Sequence, residues 1–195
     1  MIREMDDRDE LKTPLLLLAM PQVHDPFFHK SVVLLLHHQD EGSLGFIVNR
    51  PTGVTVEEIL EDLEIPWLGD AEAMAFFGGP VEPQIGTLIY RSDEETSEDR
   101  HEVSPGVSLT QNVSDLESLA GDPPPHFRLL LGYAGWGDGQ LEREILRNDW
   151  LIAPVQDDLL FGDDPEAVWE QALASVGIDP VQLPAWTGGE DSAAN

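Results

Sequence analysis

The densest cluster of residues with chemical potential lies in Leu129–Pro154, LLLGYAGWGDGQLEREILRNDWLIAP. Glycines stand at 132, 135, 137 and 139, with Tyr133 and Trp136 between them. An apolar run, a glycine-rich segment and a helix in that order form the setting in which backbone N–H groups cradle phosphate. The spacing does not deliver it. The pattern G-x-G-x-x-G fails because Gln140 and Glu142 occupy its last place in the two possible registers. The phosphate-loop pattern finds its two glycines in Gly132 and Gly137, but Asp138 and Gly139 stand where Lys and Ser/Thr are needed. A carboxylate there repels phosphate. The glycines therefore read as positions of positive φ or close backbone approach, and Gly135→Ala or Gly137→Ala is expected to weaken the fold. Tyr133 and Trp136 form either a stacking platform or a cover over the core, the core being the plainer reading.

Ser31, His24 and Asp25 can be written as a nucleophile set. No G-x-S-x-G elbow accompanies them, and Ser31 opens a predicted strand rather than a strand-to-helix turn. The six histidines raise the question of a metal. His37 and His38 are neighbours on a predicted strand, so they point to opposite faces and cannot share one ion. His24 and His29 flank a turn without a third ligand at helical spacing. No metal or cofactor is expected. Asn49-Arg50-Pro51 is more informative: a cation beside Asn at a strand end is either a clamp for an anion or carboxylate, or half of an internal salt bridge. Lys30 is a second cation of the same neighbourhood. The tentative ligand-binding residues are thus Lys30, Asn49, Arg50, Tyr133, Trp136 and Asp138.

The elements that must carry these residues follow from hydrophobic pattern and punctuation. Leu15–Ala19 is a first apolar strand, and QVHDPFFHK at 22–30 is a turn whose Phe27 and Phe28 can plug the core. Ser31–His37 and Leu44–Val48, joined by Gln39–Gly42, read as a hairpin. Asn49–Gly53 breaks the sheet. Thr55 with Glu58 makes a capping box for an acidic helix ending near Leu63. Ala75–Phe77 and Ile85–Arg91 are strands, Val107–Thr110 a short one, and Ser114 with Glu117 caps a short helix to Ala120. Leu129–Leu131 reads as a strand buried on both faces, followed by a glycine turn. Asp138 is the expected N-cap of a helix opening at Gly139–Leu141, and Asp138→Ala is expected to cost about 1 kcal/mol. Trp150–Val155 is the next strand. Asp164-Pro165-Glu166 opens the last helix, with Val168, Ala172 and Val176 on its apolar face.

A chain of 195 residues can bury a sizeable core, and no internal repeat or linker divides it. The expected organisation is a charged arm at 1–13, a single domain at 14–178 and a tail at 179–195. With no cysteine there is no disulfide framework and no thiolate metal site. The acidic opening MIREMDDRDELKT does not read as a signal peptide. Leu15–Met20 is too short to cross a bilayer, so the expected address is the cytoplasm. Net charge is the outlier, at −28 from 38 acidic and 10 basic residues. Such a field repels nucleic acid, whose binding rests on Lys and Arg contacts to phosphate. The excess is unevenly placed. Pro14–Val56 holds three acids and two bases, and Pro123–Trp150 four and three. Acid concentrates in the arm, the Glu57–Glu64 helix, the Ser92–Glu102 loop and Asp157–Glu170. Scattered acid with almost no lysine is the composition of a high-salt protein; a nucleic-acid mimic is the sharper alternative.

Four segments resemble the AlgH/YqgE family of bacterial proteins: LLLAMPQVHDPFFHKSVVLLLHH, GFIVNRP at 45–51, GGPV at 78–81, and LGYAGWGDGQLEREILRNDWLIAP. With their spacing they cover about residues 14–178. The resemblance implies a single α+β domain with a mixed, strongly curved, partly barrel-like sheet. It supplies no activity, since the family is largely uncharacterised; its name carries an association with transcriptional regulation of alginate production. Lys30 departs from the arginine more usual in the family before Ser31-Val32, which keeps the cation in weaker form. The first functional expectation is a non-enzymatic regulatory or ligand- or partner-binding protein. Its surface would join the Met20–Ser31, Asn49–Gly53 and Gly132–Gln140 turns. The alternative is an enzyme acting on a small anionic substrate held by Arg50 and Lys30.

The charge generates a test of its own. Raising monovalent salt from millimolar to molar should raise the midpoint of thermal unfolding, because it screens repulsion among surface carboxylates. A midpoint that stays flat or falls across the series would remove the high-salt reading.

Overall fold

The computed structural model describes residues 11–91 and 101–183. The first ten residues of the expected arm, most of the Ser92–Glu102 loop and most of the expected tail lie outside the described residues. Strand β1 (Leu15–Ala19) is buried along its whole length. It pairs antiparallel with β2 (Val32–Gln39) on one side and β10 (Trp150–Ala153) on the other. Burial on both faces explains the unbroken leucine run: Leu16 and Leu18 enter one core, and Leu15, Leu17 and Ala19 a second. Helix α5 (Pro165–Ser175) closes the first core with Val168, Trp169, Ala172 and Leu173. The Trp169 indole N–H donates to the Ala19 carbonyl at 2.8 Å. Helix α3 (Gln140–Leu146) closes the second through Leu141.

The hairpin of β2 and β3 (Gly42–Ile47) forms as the alternation requires. From there the sheet runs in the order β10-β1-β2-β3-β9-β6-β8-β7. Its further members are β6 (Val81–Arg91), β7 (His101–Ser104), β8 (Val107–Thr110) and β9 (Phe127–Gly137). Strands β4 (Pro51–Thr55) and β5 (Met74–Phe77) pair with each other, and β5 runs parallel to β9. The sheet is therefore mixed, and it curls into a half-barrel within a single α+β domain. Helices α1 (Val56–Asp62) and α2 (Val113–Gly121) build a third core with Leu88, Tyr90 and Leu129. The capping box at Thr55 and Glu58 is present, with the Glu58 carboxylate accepting from the Thr55 N–H at 2.9 Å. A short helix α4 (Asp157–Leu160) precedes α5. Asp164 caps α5, accepting from the N–H groups of Glu166 and Ala167.

Four local expectations need correction. The break after β3 is shorter than Asn49–Gly53, because β4 resumes at Pro51 and absorbs Gly53 at φ 82. The cap of α2 is Asn112, whose side-chain amide oxygen accepts from the Ser114 N–H at 2.9 Å, not Ser114 itself. Asp138 does not cap α3: the N-cap is Gly139 at φ 60, without a side-chain hydrogen bond. The Gln140 side chain instead turns back to accept from the Gly137 N–H at 3.1 Å. Finally, the glycine run is not a turn. It is the second half of β9, an 11-residue strand that continues through Gly132, Gly135 and Gly137.

Why β9 tolerates glycine follows from its neighbours. One edge pairs with β6, and the other with β5 and then β3, set end to end. Residues 78–80 must carry the chain from β5 on one edge to β6 on the other, crossing β9. At the crossing a Cβ on Gly132 would stand 2.4 Å from the Gly79 carbonyl oxygen, and one on Gly79 would meet the Tyr133 backbone at 2.1 Å. Gly132 also has φ +70. Gly135 is different: its Cβ would meet the Tyr133 ring at 3.6 Å and the Val81 side chain at 3.8 Å, ordinary contacts, and a Cβ on Gly137 would reach only the Gln140 side chain at 4.0 Å.

The sensitive positions are therefore not those expected from sequence. Gly132→Ala and Gly79→Ala should each cost about 3 kcal/mol or more, combining backbone strain with overpacking. Gly135→Ala and Gly137→Ala should stay within about 1 kcal/mol of wild type, and Asp138→Ala within about 0.5 kcal/mol. Denaturant midpoints of the five variants check this, and equal losses at 132 and 135 would contradict the crossing.

Candidate functional site

The Met20–Lys30 segment joins β1 to β2 and is held by its own turn chemistry and by two side chains from the end of β3. The Asp25 carboxylate accepts from the Phe27 N–H at 2.8 Å, and its carbonyl accepts from the N–H groups of Phe28 and His29. Asn49 uses both ends of its amide: the oxygen accepts from the Val32 N–H at 2.8 Å, and the nitrogen donates to the Lys30 carbonyl at 3.0 Å. Arg50 donates to the carbonyls of Pro26 and, at 2.6 Å, His29. Burial holds its guanidinium below the ordinary arginine pKa, and the nearby Asp25 carboxylate opposes that shift. Arg50 thus clamps backbone, where a carboxylate partner or an external anion was expected.

Beside this clamp lies a groove of about 610 Å³. Its first wall is His29, Lys30, Asn49, Arg50 and Pro51; its second is Pro165, Glu166, Ala167 and Glu170 at the start of α5. The Lys30 ammonium stands 5.2 Å from the centroid of the Trp169 ring, within cation–π range. Lys30 also has φ 53, in the left-handed region.

Of the six candidate residues, Lys30, Asn49 and Arg50 come together here, and the other three do not. Tyr133 lines a separate shallow trough of about 440 Å³ with His37, Leu44 and Gly135, and Trp136 borders it. Burial raises the Tyr133 phenol above its ordinary pKa, and hydrogen bonding and charge from Glu82 add to the shift. Asp138 is exposed past the end of β9. The reason for the split is register. Gly137 pairs with Gly42 at the start of β3, whereas Asn49 follows its far end. Two links remain. The Phe77 N–H donates to the Arg50 carbonyl at 2.7 Å while Phe77 pairs with Leu131. In the loop, Phe27 stacks on Phe77 and Phe28 lies 6.1 Å from Trp136, centroid to centroid. Phe28 therefore plugs the core, but Phe27 stays 45% exposed.

Two charged residues escape a sequence reading. The Glu144 carboxylate accepts from both the Trp136 and Trp150 indole N–H groups at 2.8 Å, tying α3 to β9 and β10. Arg128 is buried, donates to the carbonyls of Leu160 and Gly162, and lies 4.0 Å from the Phe76 ring centroid. Burial lowers its pKa to about 10, against the opposing field of Asp163. The signal for Arg128 was present: it shares strand parity with Leu130 and so faces the core. Nothing local marks Glu144. Ser31 is fully buried and has no access to a substrate. His38 hydrogen-bonds Ser43 and faces Glu142, while His37 lies exposed on the trough side. Among the described residues no group of three or more His, Cys, Asp or Glu could hold a metal, and no helix is long and apolar enough to cross a membrane.

The clamp predicts a local phenotype. Arg50→Lys cannot span the carbonyls of Pro26 and His29 together, so stability should fall by about 1–2 kcal/mol. Amide hydrogen exchange should accelerate across residues 26–30 while β1 and β2 remain protected. Unchanged exchange in the loop would show that the carbonyls are held by something other than Arg50.

Comparison with known proteins agrees with this architecture. Residues 16–181 match the AlgH-like family model, DUF179. A UPF0301 protein of Myxococcus xanthus is 40% identical over 172 residues, covering 87% of this chain and 93% of its own. One from Ruegeria pomeroyi is 42% identical over 179 residues, with 90% and 97% covered. The solution structure of the AlgH protein from Pseudomonas aeruginosa superposes with a TM-score of 0.72 at 31% identity, covering 95% of this chain and 99% of that one. A crystal structure from Corynebacterium diphtheriae, DIP2367, shares the fold with the same TM-score at 21% identity. A family model spanning most of the chain and relatives near 40% identity over almost their full length leave one assignment: the chain belongs to the AlgH-like family.

Proposed function

We propose that this protein is a non-enzymatic binding protein, acting in a regulatory role, whose small ligand or partner segment seats in the groove between the Lys30–Pro51 wall and α5. The observation that carries the reading is how the groove's polar groups are used. Asn49 and Arg50 spend their hydrogen bonds on backbone of the 25–32 segment, and Ser31 is buried behind them. A wall fixed in this way is preorganised for binding, which limits the ordering cost of association. It does not present a nucleophile with an adjacent base, the pairing that covalent catalysis requires. The acidic surface fits a cytoplasmic protein adapted to high salt, whose partner is not DNA.

A fragment library screened by two-dimensional amide NMR tests the proposal. Ligands should shift the resonances of residues 29–30, 49–50 and 166–170, and binding should weaken in Lys30→Gln. Hits that instead map to the Tyr133 trough, or measurable turnover of a bound fragment, would overturn it.

A further inference from the structure

The groove carries opposite charges on opposite walls, and among the described residues they do not pair. Lys30 has its ammonium on the Trp169 ring and no carboxylate partner. Glu166 and Glu170 line the other wall four residues apart on α5, hence on the same face of the helix. Two like charges at that spacing weaken a helix slightly, and no described base offsets them. In a chain with 38 acidic residues against 10 basic ones, a lysine opposite two glutamates that bonds neither is held away from them.

What holds it is visible. The Lys30 backbone sits at φ 53, a conformation uncommon for a residue other than glycine. Its carbonyl is fixed by Asn49, and the following N–H, that of Ser31, donates to Phe28 at 3.0 Å. The ammonium rests on the ring of Trp169, itself a residue of α5. Lys30 and Arg50 balance Glu166 and Glu170, so this groove is formally neutral in a molecule of net charge −28. A lone anion would meet Lys30 but also face two carboxylates. A lone cation would meet the carboxylates but also face the lysine. Only an occupant bearing both charges satisfies both walls.

We infer that the groove binds a small zwitterion, with its carboxylate or other anionic end on Lys30 and its ammonium or guanidinium end against Glu166 and Glu170. The inference rests on the groove being the binding site and names the chemical class it accepts. It implies a spacing preference, because one end must meet the Lys30 ammonium while the other meets the two glutamates.

The test is an amide NMR titration at fixed ionic strength with ω-amino carboxylates of increasing length, from glycine through γ-aminobutyrate to ε-aminocaproate. Each is matched with its N-acetyl form, which removes the cation, and its amide, which removes the anion. At least one chain length should shift residues 29–30, 49–50 and 166–170. Its Kd should lie about tenfold below those of its two singly charged analogues, as expected for one charge-assisted contact. Lys30→Gln should reduce the zwitterion to the affinity of the amide, and Glu170→Gln should move it towards that of the N-acetyl form. Both side chains are exposed, so the fold is expected to survive, as circular dichroism would register. Equal binding of zwitterion and singly charged analogues would overturn the inference and leave the binding groove standing. So would silence from every zwitterion while fragments of other chemistry shift the same amides. Silence from both sets would remove the inference and the proposed function together.

Discussion

The structure depends on one close approach of backbone to backbone. Between β5 and β6 the chain has three residues in which to change from one edge of β9 to the other, and it can do so only across the strand. At the crossing Gly78, Gly79 and Gly132 bring main-chain atoms to distances that a Cβ would fill. The parallel β5–β9 pair, the antiparallel β6–β9 pair and the junction of β5 with β3 all meet there. The Ile47 N–H donates to the Gly78 carbonyl, and the Gly78 N–H to the Leu131 carbonyl, so the crossing is itself hydrogen-bonded into the sheet. Glycine in a strand ordinarily weakens it. Here it permits a topology that places the end of β3, and with it Asn49 and Arg50, beside β5 rather than beside solvent.

Around that crossing, side chains with charge or amide groups act as staples between segments distant in sequence. Asn49 and Arg50 hold the β1–β2 connection; Arg128 holds the α4–α5 connection through Leu160 and Gly162; Glu144 holds α3 against two tryptophans. Arg128 and Glu144 satisfy groups in buried or half-buried surroundings, where losing a partner costs about 1–3 kcal/mol apiece, whereas Asn49 and Arg50 fix the carbonyls of exposed loop residues. Arginine suits this task because its planar fork of donors can meet two carbonyls at once. The staples also define the groove: its first wall is the β1–β2 connection in the position that Arg50 and Asn49 impose.

Legibility in the sequence divides along the same line. Strand β1, the β2–β3 hairpin, the capping box at Thr55 and the start of α5 at Asp164 were readable because local pattern decides them. The second half of β9 was not, because glycine in isolation argues for a turn and only its partners on both edges make it strand. Asp138 looked like a cap because its type and place were right, yet Gly139 in a left-handed conformation starts the helix and Gln140 serves the free Gly137 N–H. At the candidate site, Lys30, Asn49 and Arg50 were picked out as a rare concentration of cation and amide. That Arg50 would grip the carbonyls of Pro26 and His29 could not be read, since no spacing rule links a strand end to a loop folded over it. Tyr133 and Trp136 were grouped with them by sequence chemistry; β-sheet register separates them.

The use of cations inside the fold bears on how a chain with such an acid excess holds together. All five arginines among the described residues are engaged. Arg128 donates to carbonyls in a buried or half-buried site and Arg50 to those of the exposed β1–β2 loop, Arg143 reaches the Asp138 carbonyl at 3.4 Å, and Arg91 and Arg147 pair with Asp157 and Asp149. Only the last two are exposed ion pairs, which contribute at most about 1 kcal/mol each and are weakened by salt. Buried Arg128 and half-buried Arg50 interact with carbonyl dipoles at hydrogen-bond distance, which salt screens less than exposed charge pairs, while the Arg143 contact lies at the surface. Added salt is therefore expected to relieve repulsion between surface carboxylates while leaving the buried Arg128 staple in place. Net stabilisation by salt is the expected direction, because the few cations of the described residues are used mainly on backbone rather than on the surface acids.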